Sequence, residues 1–295
     1  MVASRTRQKT SPLGRGAPRP PAGEVSMKDS GRDAGRLTFE RCLIPRLLYR
    51  RHAFQSRGPP HTFAQRSLPL SDGSVVFCSS AAGSLYTLVA DHVVQGRVIF
   101  PGAGYLEMAR AAAASALHGV YFLQLLAVEA PGLLVECAVS DGRFEVRSSG
   151  APDAVQANTT VHCSGATPGA IAWEHIDHAS LRAPSRPSTV GVLYDGFDAV
   201  GLQYGPGYRT LTHAWGGASD ALARLRARLT REGTQVHPAD LDDALCTGAA
   251  MGSSGNGETR LPFAVDDALL QGTRRELWAV RTTPCDRSTL TILAC

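Results

Sequence analysis

From residue 66 onward the chain alternates short apolar runs with turn residues, and the spacing of the apolar positions changes along its length. Residues 67–70 and 75–78, joined by Asp72-Gly73, predict a β-hairpin. A further apolar run over 85–90 leads into Asp91-His92. After Pro101-Gly102 the period becomes helical: Tyr105, Met108 and Ala112 fall at i, i+3 and i+7, predicting a helix over 103–117. Its alanine-rich faces suit close packing on a sheet. Strand patterns return at 122–128, 133–139 and 143–148, the last two joined by Ser140-Asp141-Gly142, and again at 159–163 before Ser164-Gly165. The polar, proline-bearing stretch 166–188 predicts a connector between two halves.

The second half repeats the scheme. It opens on an apolar segment, 193–200, and a turn-rich run, Gly201-Leu202-Gln203-Tyr204-Gly205-Pro206-Gly207-Tyr208, followed by strands at 211–215 and 221–229. A helix begins at Pro238, a residue suited to the first helical turn. Residues 252–257 predict a flexible loop, with strands returning at 261–270 and 277–282. Each half therefore predicts an antiparallel sheet around one central helix, an α+β arrangement.

Composition sharpens this picture. The 295 residues are 43% hydrophobic, enough for one large domain or two small ones with real cores. No apolar run approaches the roughly 18–20 residues of a membrane-spanning helix, and the start lacks the apolar block of a secretory signal, so neither membrane insertion nor export is expected. The net charge of +4 is unevenly placed: residues 1–60 hold 13 Lys+Arg against 4 Asp+Glu, the remainder 17 against 22. The body is thus acidic and offers no basic surface for nucleic acid. Residues 1–65, rich in Arg, Pro, Ser and Gly, are expected to be a disordered leader or linker. A cytoplasmic location is expected, with import into a plastid or other organelle through that basic leader as the alternative. Seven cysteines without a CxxC pair argue for a reducing compartment and against a disulfide framework. Glu174-His175-Ile176-Asp177-His178 looks like a metal-ligand cluster but lacks a fourth ligand at zinc-like spacing, so it reads as a solvated loop and no metal is expected.

Two clusters carry candidate chemistry. His92-Val93-Val94-Gln95-Gly96 precedes Pro101-Gly102 at the start of the first long helix, and His237-Pro238-Ala239-Asp240-Leu241-Asp242 opens the second. One base candidate and one acid candidate, each tied to a helix start, fit removal and return of protons on one substrate. A histidine, with an unperturbed pKa of about 6.5, is largely neutral at cellular pH, whereas an aspartic acid, at about 3.9, must be raised by burial to act as an acid.

These residues resemble the dehydratase domain of modular polyketide synthases. His92, Gly96 and Pro101 match that family's HxxxGxxxxP; the run Gly201 to Tyr208 is similar to its GlxYGPxF; His237, Pro238 and Asp242 match HPxxxDxxxQ/H. His162-Cys163-Ser164-Gly165 and Leu261-Pro262-Phe263 are similar to its HxSG and LPF. The resemblance spans roughly residues 66–285 and implies a double hot-dog fold, with a His half at 66–190 and an Asp half at 191–295. It implies that His92 takes the α-proton of a 3-hydroxyacyl thioester while protonated Asp242 gives a proton to the departing hydroxyl. Gly96, Pro101, Gly102, Tyr204, Gly205, Pro206 and Cys246 are the expected positioning residues, and the Gly102 N–H is expected to face the thioester carbonyl. The substrate would arrive on the phosphopantetheine of an acyl carrier protein, with no bound cofactor, beside other synthase domains; the family often dimerises, so a homodimer is a further expectation. Two departures bear on activity. Cys246 stands where the family has Gln or His, and the chain stops at Cys295, where one or two further strands are usual, so either a truncated second half or a sheet with an open edge is expected. The alternatives are an inactive scaffold domain and a product-template-like aldol cyclase.

Overall fold

The computed structural model describes residues 2–5, 61–150, 159–167, 177–251, 261–268, 270, 277–282 and 289–294. Along the first half run β1 (Val2–Arg5), β2 (Arg66–Pro69), β3 (Val75–Ser80), α1 (Ser84–Val89), β4 (His92–Val94), β5 (Arg97–Val98), α2 (Gly102–Ala113), β6 (Leu117–Phe122), β7 (Leu134–Ser140), β8 (Arg143–Ser149) and β9 (Thr160–Ala166). The second half contributes α3 (His178–Arg182), β10 (Arg186–Ser188), α4 (Val190–Ala199), β11 (Leu202–Tyr204), a single 3-10 turn Pro206–Tyr208, β12 (Leu211–Gly216), β13 (Asp220–Leu225) and α5 (Pro238–Cys246). It ends with β14 (Ala264–Ala268), β15 (Leu277–Thr282) and β16 (Thr289–Ala294).

A seven-stranded antiparallel sheet, in the order β14-β6-β9-β8-β7-β3-β2, packs on α2, and a six-stranded sheet, β1-β16-β15-β13-β12-β10, lies with α5. These are the two expected hot dogs. Period-two alternation sorts the faces: Ala223, Leu225 and Ala279 point into the shared core with Leu241 and Ala244 of α5, while Leu222, Trp278 and Val280 face outward under Trp215 and Leu181. The core is continuous across both halves, joining Phe100, Leu106, Met108, Leu117 and Phe144 to the α5 residues. Each such side chain, fully buried, contributes about 1.5–3 kcal/mol.

Several expected bounds shift. Residues ahead of 66 already belong to the fold: Phe63 is fully buried in the core and His61 bonds Glu107. Val2–Arg5 of the expected disordered leader is a strand paired with β16. Helix α2 stops at Ala113, where Ala114 turns left-handed (φ 52°) and gives its N–H to Arg110, freeing 117–122 to form a strand where helix was expected. Beyond Phe122 the expected strand 122–128 is irregular apart from one bridge, Ile99 with Ala127. The apolar segment 193–200 lies mostly within a helix, α4, that buries Tyr194 and Phe197, and the 166–188 connector contains α3 and β10. The expected loop at 252–257 lies outside the described residues, as do Glu174 and His175. The second sheet includes β16, with β1 at its edge.

The halves also interlock. Strand β14, late in the chain, completes the first sheet by pairing with β6, and β11 pairs with β4 in a small sheet of three, β11-β4-β5. That small sheet carries the site.

Candidate active site

His92 is set by strand pairing and by one turn. In β4 it stands opposite Tyr204 of β11, so the first half's histidine and the second half's tyrosine are neighbours across a ladder. Gln95 and Gly96 both adopt positive φ (50° and 76°), the tight hairpin turn that asparagine or glycine favours, and this returns the chain so that Ile99 meets His92 again. The Ile99 N–H donates to the His92 carbonyl (3.1 Å), and the His92 Nδ1–H donates to the Ile99 carbonyl (2.7 Å). A carbonyl can only accept, so Nδ1 carries a proton, and in the neutral imidazole the lone pair is then on Nε2. That lone pair faces Asp242: Nε2 to Oδ2 is 3.6 Å, with the two side chains 4% and 7% exposed.

Asp242 is delivered by α5, whose start is built by the sequence around it. His237 is the N-cap, its Nδ1 accepting the Ala239 N–H (3.2 Å), and Pro238 occupies the first turn. Burial and the nearby Arg228 and Arg226 push the His237 imidazole down to about 3, which keeps it a neutral acceptor. The three carboxylates of this short helix go separate ways. Asp240 pairs with Arg228 through both oxygens at 2.8 Å. Asp243 turns away from His92 yet is fully buried, one oxygen accepting from Thr210 N (2.6 Å), Thr210 Oγ1 (2.7 Å) and Tyr194 OH (2.8 Å). Burial pushes Asp243 up to about 7. Asp242 is also raised, by burial against the opposing pull of His92 and the Tyr204 hydroxyl, and its Oδ2 has no hydrogen-bond partner among the described residues. The dominant cause is thus the desolvation that an acid needs.

A ring of aromatics encloses the pair. Tyr204 and Tyr208 lie 5.6 and 5.3 Å from the His92 ring, centroid to centroid, and are stacked on each other at 6.2 Å. Cys246, one turn beyond Asp242, faces the Tyr204 hydroxyl (3.5 Å) and not the carboxylate, and burial pushes its thiol up, away from ionisation.

The other expected positioning residues divide. Tyr204 and Cys246 border the pair, Gly205 packs on Asp91, and Pro206 is exposed in the turn. Gly96 is exposed at the hairpin tip and acts through Ile99 and His92, not by facing the substrate space. Pro101 is the N-cap residue of α2, and Gly102 is its first helical residue, where N–H groups precede the intrahelical ladder. A Cβ on Gly102 would meet Pro262 at 3.4 Å and Phe122 at 3.5 Å, so Leu261-Pro262-Phe263 lies against this helix start. Sequence reasoning missed Asp91. Its carboxylate accepts the Gly207 N–H (2.5 Å) and its carbonyl accepts the Gly205 N–H (2.8 Å), tying the Gly-Pro-Gly turn to the residue beside His92. The signal was present: two glycines flanking one proline ask for an acceptor, and an aspartate precedes the histidine. Tyr208 was also passed over, read only as a motif end.

An imidazole nitrogen and a carboxyl oxygen, buried 3.6 Å apart, are close enough to work on one substrate, one taking a proton from a carbon and the other giving one to an oxygen on the carbon beside it. Among the described residues no helix is long and apolar enough to cross a membrane.

Comparison with known proteins agrees. A family model described as "Polyketide synthase dehydratase domain" matches residues 61–162, and one described as "Polyketide synthase dehydratase N-terminal domain" matches residues 177–289. Polyketide synthase ThaG of Burkholderia thailandensis is 35% identical over 175 residues, 53% of this chain and 3% of that protein. Mycoketide-CoA synthase of Mycobacterium tuberculosis is 31% identical over 244 residues, 76% of this chain and 6% of that protein. The chain thus spans a small fraction of the large synthases it matches. Among solved structures, the dehydratase domain from the terminal module of the rifamycin polyketide synthase superposes with a TM-score of 0.67 at 25% identity, covering 80% of this chain and 92% of that one. The dehydratase domain from the CurF module of the curacin synthase shares the fold, with a TM-score of 0.69 at 22% identity over 79% of this chain and 93% of that one.

Proposed function

The chain belongs to the polyketide synthase dehydratase family, and from that premise we propose that it removes water from a 3-hydroxyacyl thioester to give the 2,3-enoyl thioester during polyketide assembly. The observation that carries this reading is the buried approach of His92 Nε2 to Asp242 Oδ2, 3.6 Å apart and drawn from different halves of the chain. The substrate hangs from the phosphopantetheine arm of an acyl carrier protein, presented within a larger synthase of which this domain is one station.

His92 Nε2 takes the proton from Cα, and the pair of electrons left behind forms the Cα=C3 bond as the C3–O bond breaks. Asp242 gives its proton to the leaving oxygen, which departs as water. The thioester carbonyl gathers negative charge along the way, and the first N–H groups of α2, starting with Gly102, answer it. Once product leaves, the proton on His92 returns to the Asp242 carboxylate across the gap between them, restoring both groups.

The test is a 3-hydroxyacyl pantetheine thioester assayed by ultraviolet absorbance of the conjugated product. Wild type should turn over, and His92→Ala and Asp242→Asn should each lose about 100-fold or more in kcat, the range typical of a missing acid or base. A folded wild-type protein without turnover would leave a scaffold role, and ring closure of a polyketone surrogate would indicate a cyclase.

A further inference from the structure

We propose that the hydroxyl of Tyr208 is a third polar contact to the substrate, donating to the C3 oxygen that Asp242 protonates and so reading the presence of a 3-hydroxyl group. This rests on the dehydratase reading and extends it to a residue outside the acid and base.

Three tyrosine hydroxyls lie near the α5 carboxylates, and two have partners. Tyr194 OH donates to Asp243 (2.8 Å) and accepts from the Leu211 N–H (3.0 Å), and Tyr204 OH meets the Cys246 thiol (3.5 Å). Tyr208 is 1% exposed, its ring 5.3 Å from His92, and its hydroxyl is buried with no partner among the described residues. Tyr105 OH shares that lack of a partner, but its ring packs with Phe100, Phe122 and His162. Burial acts first to keep the Tyr208 phenol protonated, and among its charged neighbours Asp242 acts most strongly.

A phenyl ring alone would fill the space that Tyr208 occupies, and phenylalanine ends the similar GlxYGPxF motif. The hydroxyl is an addition, and leaving a buried hydroxyl unpaired is unfavourable. Asp242 Oδ2 is the second buried polar atom of this site without a partner. One phenol O–H and one carboxylic acid O–H both seek an acceptor, and a substrate hydroxyl oxygen, with two lone pairs, satisfies both. In the reaction, the C3–O bond breaks, the oxygen takes the proton of Asp242 and leaves as water, and the Tyr208 O–H donates a hydrogen bond throughout without giving up its proton. Donation to an oxygen gaining electron density strengthens as the bond breaks, so the contact acts more on kcat than on KM.

The experiment compares Tyr208→Phe with wild type in the full chain, using the same 3-hydroxyacyl pantetheine thioester. The expected result is a fall in kcat of about 10- to 100-fold with KM held within about twofold, and an unchanged or raised melting temperature. Tyr105→Phe should leave kcat unchanged. A second measurement does not need turnover: in a His92→Ala background, calorimetry compares the 3-hydroxyacyl ligand with its 3-deoxy counterpart. A preference of about tenfold for the hydroxylated ligand should vanish when Tyr208→Phe is added. Unchanged kcat in Tyr208→Phe, or a preference that survives the substitution, overturns the proposal. A preference that is lost, in a wild type that never turns over, retains the hydroxyl contact and removes the dehydratase reading instead.

Discussion

In the proposed acid role Asp242 must be protonated, and His92 Nε2 lies 3.6 Å from its carboxyl. Burial raises its carboxyl, outweighing the pull of His92 and of the Tyr204 hydroxyl, and its Oδ2 has no partner among the described residues. Cys246 contributes by what it lacks: a thiol turned toward Tyr204 gives the carboxylate no strong hydrogen bond, whereas a glutamine at this position carries an N–H that can reach it. The departure at Cys246 is therefore compatible with an acid role. With Asp242 raised above its ordinary value and, in the proposed role, active when protonated, kcat/KM should fall as pH rises through that raised value. Cys246→Gln should favour the charged carboxylate and move this alkaline limb to lower pH, as read from the kcat/KM profile; a limb that stays put would detach it from Asp242.

At the scale of elements, the site depends on one turn being fastened to one strand. The Gly205-Pro206-Gly207 turn carries Tyr204 at one end and Tyr208 at the other, and Asp91 holds both glycine N–H groups while its neighbour His92 lies in β4. A Cβ on Gly207 would stand 2.6 Å from the Asp91 carboxylate, and one on Gly205 would collide with the same group. Gly205→Ala should therefore force the turn away from Asp91 and destabilise the protein by about 1–3 kcal/mol in urea unfolding, the usual range for overpacking. Its kcat should fall as well, since Tyr204 and Tyr208 move with the turn. Asp91→Ala leaves the Gly207 N–H without its acceptor, and a similar loss is expected. Stability within 0.5 kcal/mol of wild type, about the range of a neutral surface change, would show that the turn holds without this fastening.

For the whole molecule the question is how two halves are kept in register to within the reach of a proton. Glu107, in the middle of α2 and fully buried, takes donors from three places: His61 Nε2 (3.0 Å), Arg110 (2.9 and 3.0 Å), and the Gln235 N–H (2.5 Å) just ahead of α5. It thus fixes the central helix of one half to the start of the other's. Burial pushes its carboxyl up, but His61, Arg110 and the Gln235 N–H together hold it below the usual glutamate value. A depressed carboxyl favours the folded state above the unfolded pKa of about 4.5, and that contribution is lost as pH falls through the lower folded value. Glu107→Ala should cost about 3–5 kcal/mol by stranding a buried guanidinium and backbone donors, and Glu107→Gln should flatten the decline of stability below pH about 4.5. Denaturant unfolding across pH 3 to 7 separates these outcomes, and an unaltered acid limb in Glu107→Gln would assign it to other groups.

The chain's own pattern determined which chemistry was available and where helices begin. His92, Gly96, Pro101, His237, Pro238 and Asp242 are local signals, because a positive-φ hairpin, a proline at a first turn and a capping histidine are set by neighbours within a few residues. The turns at Asp72-Gly73 and Asp141-Gly142 were legible for the same reason. What local pattern could not give was the strand 117–122, hidden behind an alanine run whose end is marked only by Ala114, or the helix over Val190–Ala199, whose apolar spacing fits either period. Nor could it show that β14 crosses into the first sheet, that Asp91 fastens the Gly205 turn, or that Asp242 and not Asp240 or Asp243 meets His92 without a partner of its own. Those facts join residues more than a hundred positions apart. Only the packed core, by bringing α2 against α5, decides which of these three carboxyls faces the imidazole.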